Sequence, residues 1–401
     1  MRASAALWAD AREWDSAAEA YGSARCRVAF LTPKALLADT ALLAEWDDLS
    51  AHAAEPNPFA ERWYLVSALD ALESDTVRIA VVRDAGLIGI IPLLWQGRYA
   101  GLPVPHIQNW SNHNAFLGTP LVRNGTEYAF WTALLNVLDS YPKGALFLHL
   151  AGLAAIGRVA IALEAVCHTQ NRRIALVHRE ERALLERGLS PDDYWQENVR
   201  GKKRKELRRQ HKRLAEEGML TFERGDGSSK LDQWIADFLA LERAGWKGAH
   251  GSALDCAEET RALFCNTLIG AAASGKLELL AHYLDGRPIA MLVNFITPPA
   301  AFSFKTAFDE NFARFSPGVL LQYENLALLK RDGIAYCDSC AAEGHPMIDS
   351  LWTGRRSIGR YSVAIGGSGR RVVFGALLKA ELARSRSRKS SLPTLATGDD
   401  E

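Results

Sequence analysis

The segment Phe308-Asp309-Glu310-Asn311-Phe312-Ala313-Arg314-Phe315-Ser316-Pro317-Gly318 carries residue types that bind anions. Ser316 is a capping residue, Pro317 suits the first turn of a helix, and Gly318 lets a ligand come close to the backbone. The amides of Gly318, Val319 and Leu320 would then stand at a helix start without intrahelical partners, and Arg314 adds a forked donor one turn earlier. A pyrophosphate fits such a turn, although the same three residues are also ordinary helix-initiation signals.

Other side chains cluster around it in sequence. Asp338, Glu343 and His345 lie close together, each equally at home in a turn or cap. Lys305 and Asp309 flank the run to Phe308 and suit substrate binding, mutual pairing or loop capping. His282 sits in the middle of LELLAHYL, where strand alternation aims it either at a cleft or at the core. Trp246-Lys247, and Trp352 with Arg355 and Arg356, set aromatics beside cations, which suits a sugar face, an adenine ring or a phosphate. Tryptophans at loop ends serve as packing anchors as well. His106, Gln108, Asn109, Trp110, Ser111, Asn112 and His113 form a polar and aromatic stretch fit for acceptor binding or for surface turns. Cys337-Asp338-Ser339-Cys340 has redox or half-zinc spacing without a second Cys pair or a His-x-x-x-His partner, so no metal is expected and the stretch reads as the end of a buried strand.

The elements that must position these groups emerge from hydrophobic spacing. Thr76–Arg83, an Asp-Ala-Gly turn and Leu87–Leu94 predict a hairpin. Leu277–Leu284, Asp285-Gly286-Arg287-Pro288 and Ile289–Thr297 repeat the arrangement about 200 residues later, which suggests two related halves. In the first half Trp131–Leu138 reads as helix and Ala145–Leu150 as strand. In the second, Ala301–Phe308 is a strand, Val319–Leu329 a helix and Ile334–Cys337 a strand. This order predicts an α/β or α+β fold with mixed central sheets flanked by helices.

The 401 residues, 48% hydrophobic, are too many for one ordinary domain. Lys plus Arg and Asp plus Glu both total 47, which argues against a global commitment to nucleic acid or anionic membrane. The acidic Met1–Asp15 start lacks the order of a secretory signal and no apolar run reaches membrane-spanning length, so a cytoplasmic location is expected. Six scattered cysteines give no disulfide framework. Between the halves, Arg200 to Arg213 holds nine Lys or Arg residues and one acid, Glu206, on a predicted helix that docks through Leu207 and Leu214. Its outward charge suits an anionic membrane surface, an anionic substrate, nucleic acid or plain solvent.

Glu242–Gly251, Leu280–Ala290, Phe304–Leu320 and the basic Lys203–Leu214 stretch resemble the CelD/BcsL-type acyltransferases, GNAT-fold proteins related to the FemABX peptidyltransferases. The resemblance runs from about residue 55 to residue 365 and is stronger in the second half. It implies tandem GNAT halves and N-acyl transfer, usually from acyl-CoA, to an amine of a cell-envelope pathway. An amino sugar of an exported polysaccharide or a long-chain sphingoid-type base would be that amine. Ser316-Pro317-Gly318 stands where GNAT proteins carry a Gly-rich Arg/Gln-x-x-Gly-x-Gly/Ala loop, a departure from the pattern. On this reading Arg314, Ser316, Gly318, Val319 and Leu320 hold the donor, and His345, then Glu343 and Asp338, are candidates to move the amine proton. Lys305, Asp309, Trp246, Lys247, His282, Trp352, Arg355 and Arg356 are candidates for the substrate.

The corresponding domain plan is an N-terminal extension over 1–54, a first half over 55–197 and a basic linking helix over 198–230. The second half, with the donor site, covers 231–375, and a disordered tail covers 376–401. An aminoacyl-tRNA-dependent transferase of FemABX type is one alternative. A non-enzymatic module that binds nucleic acid or membrane through the basic helix is another, and the absence of aromatics among its cations argues against stacked bases.

Overall fold

The computed structural model describes residues 26–72, 74–140 and 144–390, with side chains through residue 379. Residues 1–25, with the acidic start, and 391–401, the end of the tail, lie outside the described residues. Thirteen described strands form one continuous sheet. They are β1 (Arg27–Leu31), β2 (Arg78–Arg83), β3 (Leu87–Gln96), β4 (His106–Asn109), β5 (Leu121–Val122), β6 (Phe147–Ala154), β7 (Ile174–Glu186), β8 (Leu220–Gly225), β9 (Leu277–Leu284), β10 (Arg287–Thr297), β11 (Ala300–Phe308), β12 (Tyr336–Asp338) and β13 (Gly354–Ala364). Across the sheet they run β1-β2-β3-β4-β6-β13-β7-β12-β11-β10-β9-β8, with β5 attached to β3.

That order reads alike from both edges. From one side, β1 to β4 form an antiparallel run and β6 joins β4 in parallel. From the other, β8 to β11 form an antiparallel run and β12 joins β11 in parallel. Both predicted hairpins are present, the second closed by Asp285 and Gly286 at φ 49° and 75°, the left-handed pair that a two-residue turn of matching twist requires. The halves meet by exchanging their last strands. β7 closes the first half in sequence yet pairs with β12, while β13 closes the second yet pairs with β6, and β7 and β13 pair with each other from Gly354–Leu184 to Val363–Ile174.

Helices cover the two faces with separate apolar cores. The helices Glu127–Asp139 and Arg158–Thr169 bury Trp131, Leu134 and Leu163 against the first half. In the second half, Leu231–Ala244 and Glu258–Ala273 bury Phe238 and Phe264 beside Phe295, Phe302 and Phe304. The basic helix Gly201–Glu216 buries only Leu207 and Leu214, as its heptad spacing predicts. No helix among the described residues is long and apolar enough to cross a membrane.

Three expected boundaries shift. β1 pairs with β2 along its whole length, so residues 26–54 belong to the first half rather than to an extension. The 198–230 linker contains β8, which pairs with β9 and is the first strand of the second half. Residues 376–390, assigned to a disordered tail, continue the helix Ser368–Ser390, because Phe374 and Leu378 anchor it against Phe147 and Ala364.

Candidate active site

The two parallel strand pairs, β4 with β6 and β11 with β12, are short, and the space beyond each is used differently. β11 and β12 are in register only from Ala300–Tyr336 to Phe302–Asp338. Beyond that point they part. On β11 the register against β10 steps from Asn294–Ser303 to Val293–Lys305, leaving Phe304 as a bulge residue. On the other side Cys340 takes φ 52°, and the Asp338 carboxylate accepts its amide at 2.8 Å, which turns the chain away. The wedge between Ser303–Phe308 and Ser339–Ala342 opens into a cavity of about 490 Å³. Along it, among the described residues, the backbone of β11 from Ser303 onward has no neighbouring strand on the β12 side, which leaves a strand edge open to the cavity.

Lys305 projects into this wedge. Its ammonium lies 5.2 Å from the ring centre of Phe116 and 5.6 Å from that of Phe304, and no carboxylate among the described residues pairs with it. Burial, and secondly the nearby Lys247 charge, push its pKa down to about 8. Lys247 itself donates to Glu242 at 2.6 Å, and Glu242 also accepts the Leu254 amide. Trp246, 57% exposed, stands at the rim with its amide held by Glu310. His345 lines the opposite wall at the start of the short helix Pro346–Asp349, and its Nδ1 is buried without a hydrogen-bond partner. Lys305, His345, Trp246, Lys247, Ser316, Gly318 and Val319 all line this cavity.

The other candidates do not. Asp338 has no exposed surface and is held by Arg356 at 2.8 Å and Arg182 at 3.6 Å, so it anchors two buried guanidiniums instead of accepting protons. Arg356 is thereby committed, and Arg355 donates to the Trp352 and Gly354 carbonyls. Glu343 is exposed on a turn away from the cavity. Trp352 is fully buried in the core beside Leu326 and Leu351. Asp309 caps the 3-10 turn after β11 by accepting the Asn311 amide. His282 is buried on β9 beside the Phe222 ring, outside the cavity, and burial pushes its pKa down to about 4.

The expected anion turn is also smaller than its sequence suggests. Ser316 adopts a left-handed backbone, φ 53°, and caps nothing with its side chain. Its carbonyl accepts both the Val319 and the Leu320 amides, which removes two of the three proposed donors. Leu320 points into the core. Arg314 stacks on Phe315 and pairs with Glu217 at the end of the basic helix, 2.9 Å away, so it faces away from the wedge. Gly318 remains at the wall: a Cβ there would stand 3.3 Å from the Met347 sulfur and 3.4 Å from Phe308.

The first half has the matching wedge, and its own chain fills it. β4 and β6 are paired only at Ile107–Leu148 and Gln108–His149. Immediately beyond, the Asn109 amide donates to the carbonyls of Gly118 and Ala151 and its oxygen accepts the Ala151 amide, while the Gly118 amide donates to Gly152. Gly118 fits because a Cβ would lie 2.1 Å from the Ala151 carbonyl oxygen. The loop of residues 110–120 thus occupies the first wedge and carries Phe116 across to wall the second. A smaller cavity, about 200 Å³, lies on the other side of Phe116, with Ser111, His178, Glu180, Arg182 and Arg360 on its walls. Arg182 links the two spaces: it donates to the Phe116 carbonyl at 2.7 Å and pairs with Glu180 and Asp338. Sequence reading missed Arg182 and Arg360, whose strands it left unassigned.

Residues 201–345, the basic helix through His345, match the family described as Acetyltransferase (GNAT) domain. The crystal structure of FemX resembles the chain with a TM-score of 0.51 at 13% identity, over 80% of this chain and 95% of that one. A conserved protein of unknown function from Bacteroides thetaiotaomicron gives 0.51 at 13% identity, over 80% and 97%. The C-terminal domain of a putative lysylphosphatidylglycerol synthetase from Agrobacterium fabrum gives 0.48 at 14%, over 83% and 94%. No curated protein matches. Residues 201–345 are thus similar to a GNAT acetyltransferase domain, and the whole is an α/β fold like that of FemX, a large mixed sheet flanked by helices.

Proposed function

We propose that this protein is an N-acyltransferase that binds acyl-CoA in the β11–β12 wedge and passes the acyl group to an amine entering from the charged cavity beyond Phe116. The observation that carries the reading is Lys305, an unpaired ammonium against two aromatic rings inside an open parallel-strand wedge. The free edge of β11 suits the amides of a pantetheine arm, and Phe308, Met347 and Ile348 supply apolar wall for the acyl chain. With Arg314 and two amides removed from the anion turn, the diphosphate end relies on fewer donors than the sequence implied.

In this reading the neutral amine attacks the thioester carbonyl. The C–N bond forms, negative charge gathers on oxygen, and expulsion of the thiolate restores the carbonyl. Lys305, while protonated, faces that oxygen and stabilises its charge in a site of low polarity. The free Nδ1 of His345 accepts the amine proton. Arg182, Arg360 and Glu180 favour a polar or charged acceptor, which supports an amino sugar over a long-chain base, within the cell-envelope role that the CelD/BcsL resemblance implies.

Thermal melting with acetyl-CoA, a long-chain acyl-CoA, free CoA and an aminoacyl-tRNA tests the donor, because a ligand of the folded state raises the melting temperature. Stabilisation by an acyl-CoA is expected. Stabilisation by the aminoacyl-tRNA alone would replace the donor, and no response to any of them would sink the reading.

A further inference from the structure

We propose that the outward face of the basic helix Gly201–Glu216 is a docking surface for a layer of anionic lipid headgroups. Lys202, Lys205, Arg208, Arg209, Lys212 and Arg213 are exposed, and among the described residues none has an ion-pair or hydrogen-bond partner. At 100° per residue these six fall within an arc of about 140°, opposite the buried seam of Leu207 and Leu214, and span about 16 Å along the axis. The remaining cations of the helix are used internally. Lys203 pairs with Glu206, and Arg204 donates to the carbonyls of Trp195, Gln196 and Val199.

An uncompensated row of this kind on a straight helix is complementary to a flat anionic surface. Nucleic acid is less well served. The row has no aromatic ring to stack on a base, and Gln210, the helix's only amide side chain, is bonded to the Arg314 carbonyl. Met219, 68% exposed, lies three residues past the helix end. Because the apolar seam is already buried in the protein, the helix cannot insert, so contact stays at headgroup level and depends on salt. The same helix packs on the turn before Ser316 through Gln210 and the Arg314–Glu217 pair, so docking sets the wall of the wedge close to the lipid surface. The proposal stands independently of acyl transfer.

Co-sedimentation of the full chain with vesicles tests it. The protein is expected to bind phosphatidylcholine vesicles containing about 30% phosphatidylglycerol, not phosphatidylcholine alone, and to release as salt rises to about 0.5 M. The triple variant K205E/R209E/K212E should lower binding at least about tenfold, and K205Q/R209Q/K212Q by a smaller factor, both with unchanged melting temperature. Failure of the unaltered chain to bind anionic vesicles overturns the proposal. So does equal binding by the triple variant, or binding to an RNA oligomer without binding to vesicles.

Discussion

Lys305 is a residue whose chemistry depends on its neighbours more than on its type. Its amine titrates near 10.5 when free and near 8 in the fold, so between these values the unfolded chain holds the proton more firmly. Stability therefore rises as pH climbs from 8 towards 10.5, and below 8 the whole cost of the buried cation is present. Lys305→Met removes that cost. At pH 7 it should raise stability by about 2 kcal/mol, a figure discounted for partial exposure, and should raise the melting temperature. Acyl transfer by the same variant should fall at least about a hundredfold. For the unaltered protein, kcat/KM of the proposed acyl transfer should decline above about pH 8 as the ammonium is lost. A variant that is both more stable and fully active would remove Lys305 from the reaction. Its presence beside the wedge was legible in sequence, but its shifted proton affinity was not, because Phe116 comes from the other half of the chain. Asp338 failed as a base for the converse reason: the two arginines that fix it come from strands with no sequence signature.

At the scale of elements, legibility tracked hydrophobic alternation. Both hairpins, β11, the helix around Trp131–Leu138 and the basic helix were visible because their apolar periods match their geometry, whereas the helices Arg158–Thr169, Leu231–Ala244 and Glu258–Ala273 were left unassigned. β7 and β13 were not, since IALVHREERALLE and GRRSIGRYSVA interrupt the period with charges. Those charges are satisfied within β7 and by the elements around it: Arg179 donates to Glu181 on the same strand and to Ser357 on β13, and Arg182 reaches Glu180 on its own strand, the Phe116 carbonyl and Asp338 on β12. The cost of lining a polar cavity at the centre of a sheet is a strand that reads as a loop. The filled first wedge gives a prediction at this scale. Gly118→Ala must push against the Ala151 carbonyl, and should destabilise by about 3 kcal/mol, measured by urea unfolding. Gly86→Ala, in open space on the β2–β3 turn, is the matched control, with a change of about 0.5 kcal/mol or less. Equal effects would mean that the loop does not seat in the wedge.

The whole molecule is governed by the strand exchange. Each half needs a strand from the other between its parallel pair and the centre of the sheet, so neither can close its core alone. Residues 1–197 and 198–401 produced separately should give no cooperative melting, whereas co-production should yield a complex that melts like the intact chain. A cooperative transition in either fragment alone would refute the interdependence. The sequence repeat suggested two halves, and the palindromic order of strands bears that out; their interlocking lay beyond pattern reading because pairing partners distant in the chain leave no local trace.

The exchanged strands also have a meaning in terms of symmetry. A strand order that reads the same from both edges is what two identical subunits produce when each lends its last strand to the other about a two-fold axis. In this chain the two halves are covalently joined, so the surface that would be an interface in such a pair is interior. A symmetric pair would hold two equal sites and could not change one without changing the other. Joined in one chain, the halves are free to differ, and here one wedge stays open while its twin, filled by residues 110–120, supplies Phe116 as a wall of the open cavity.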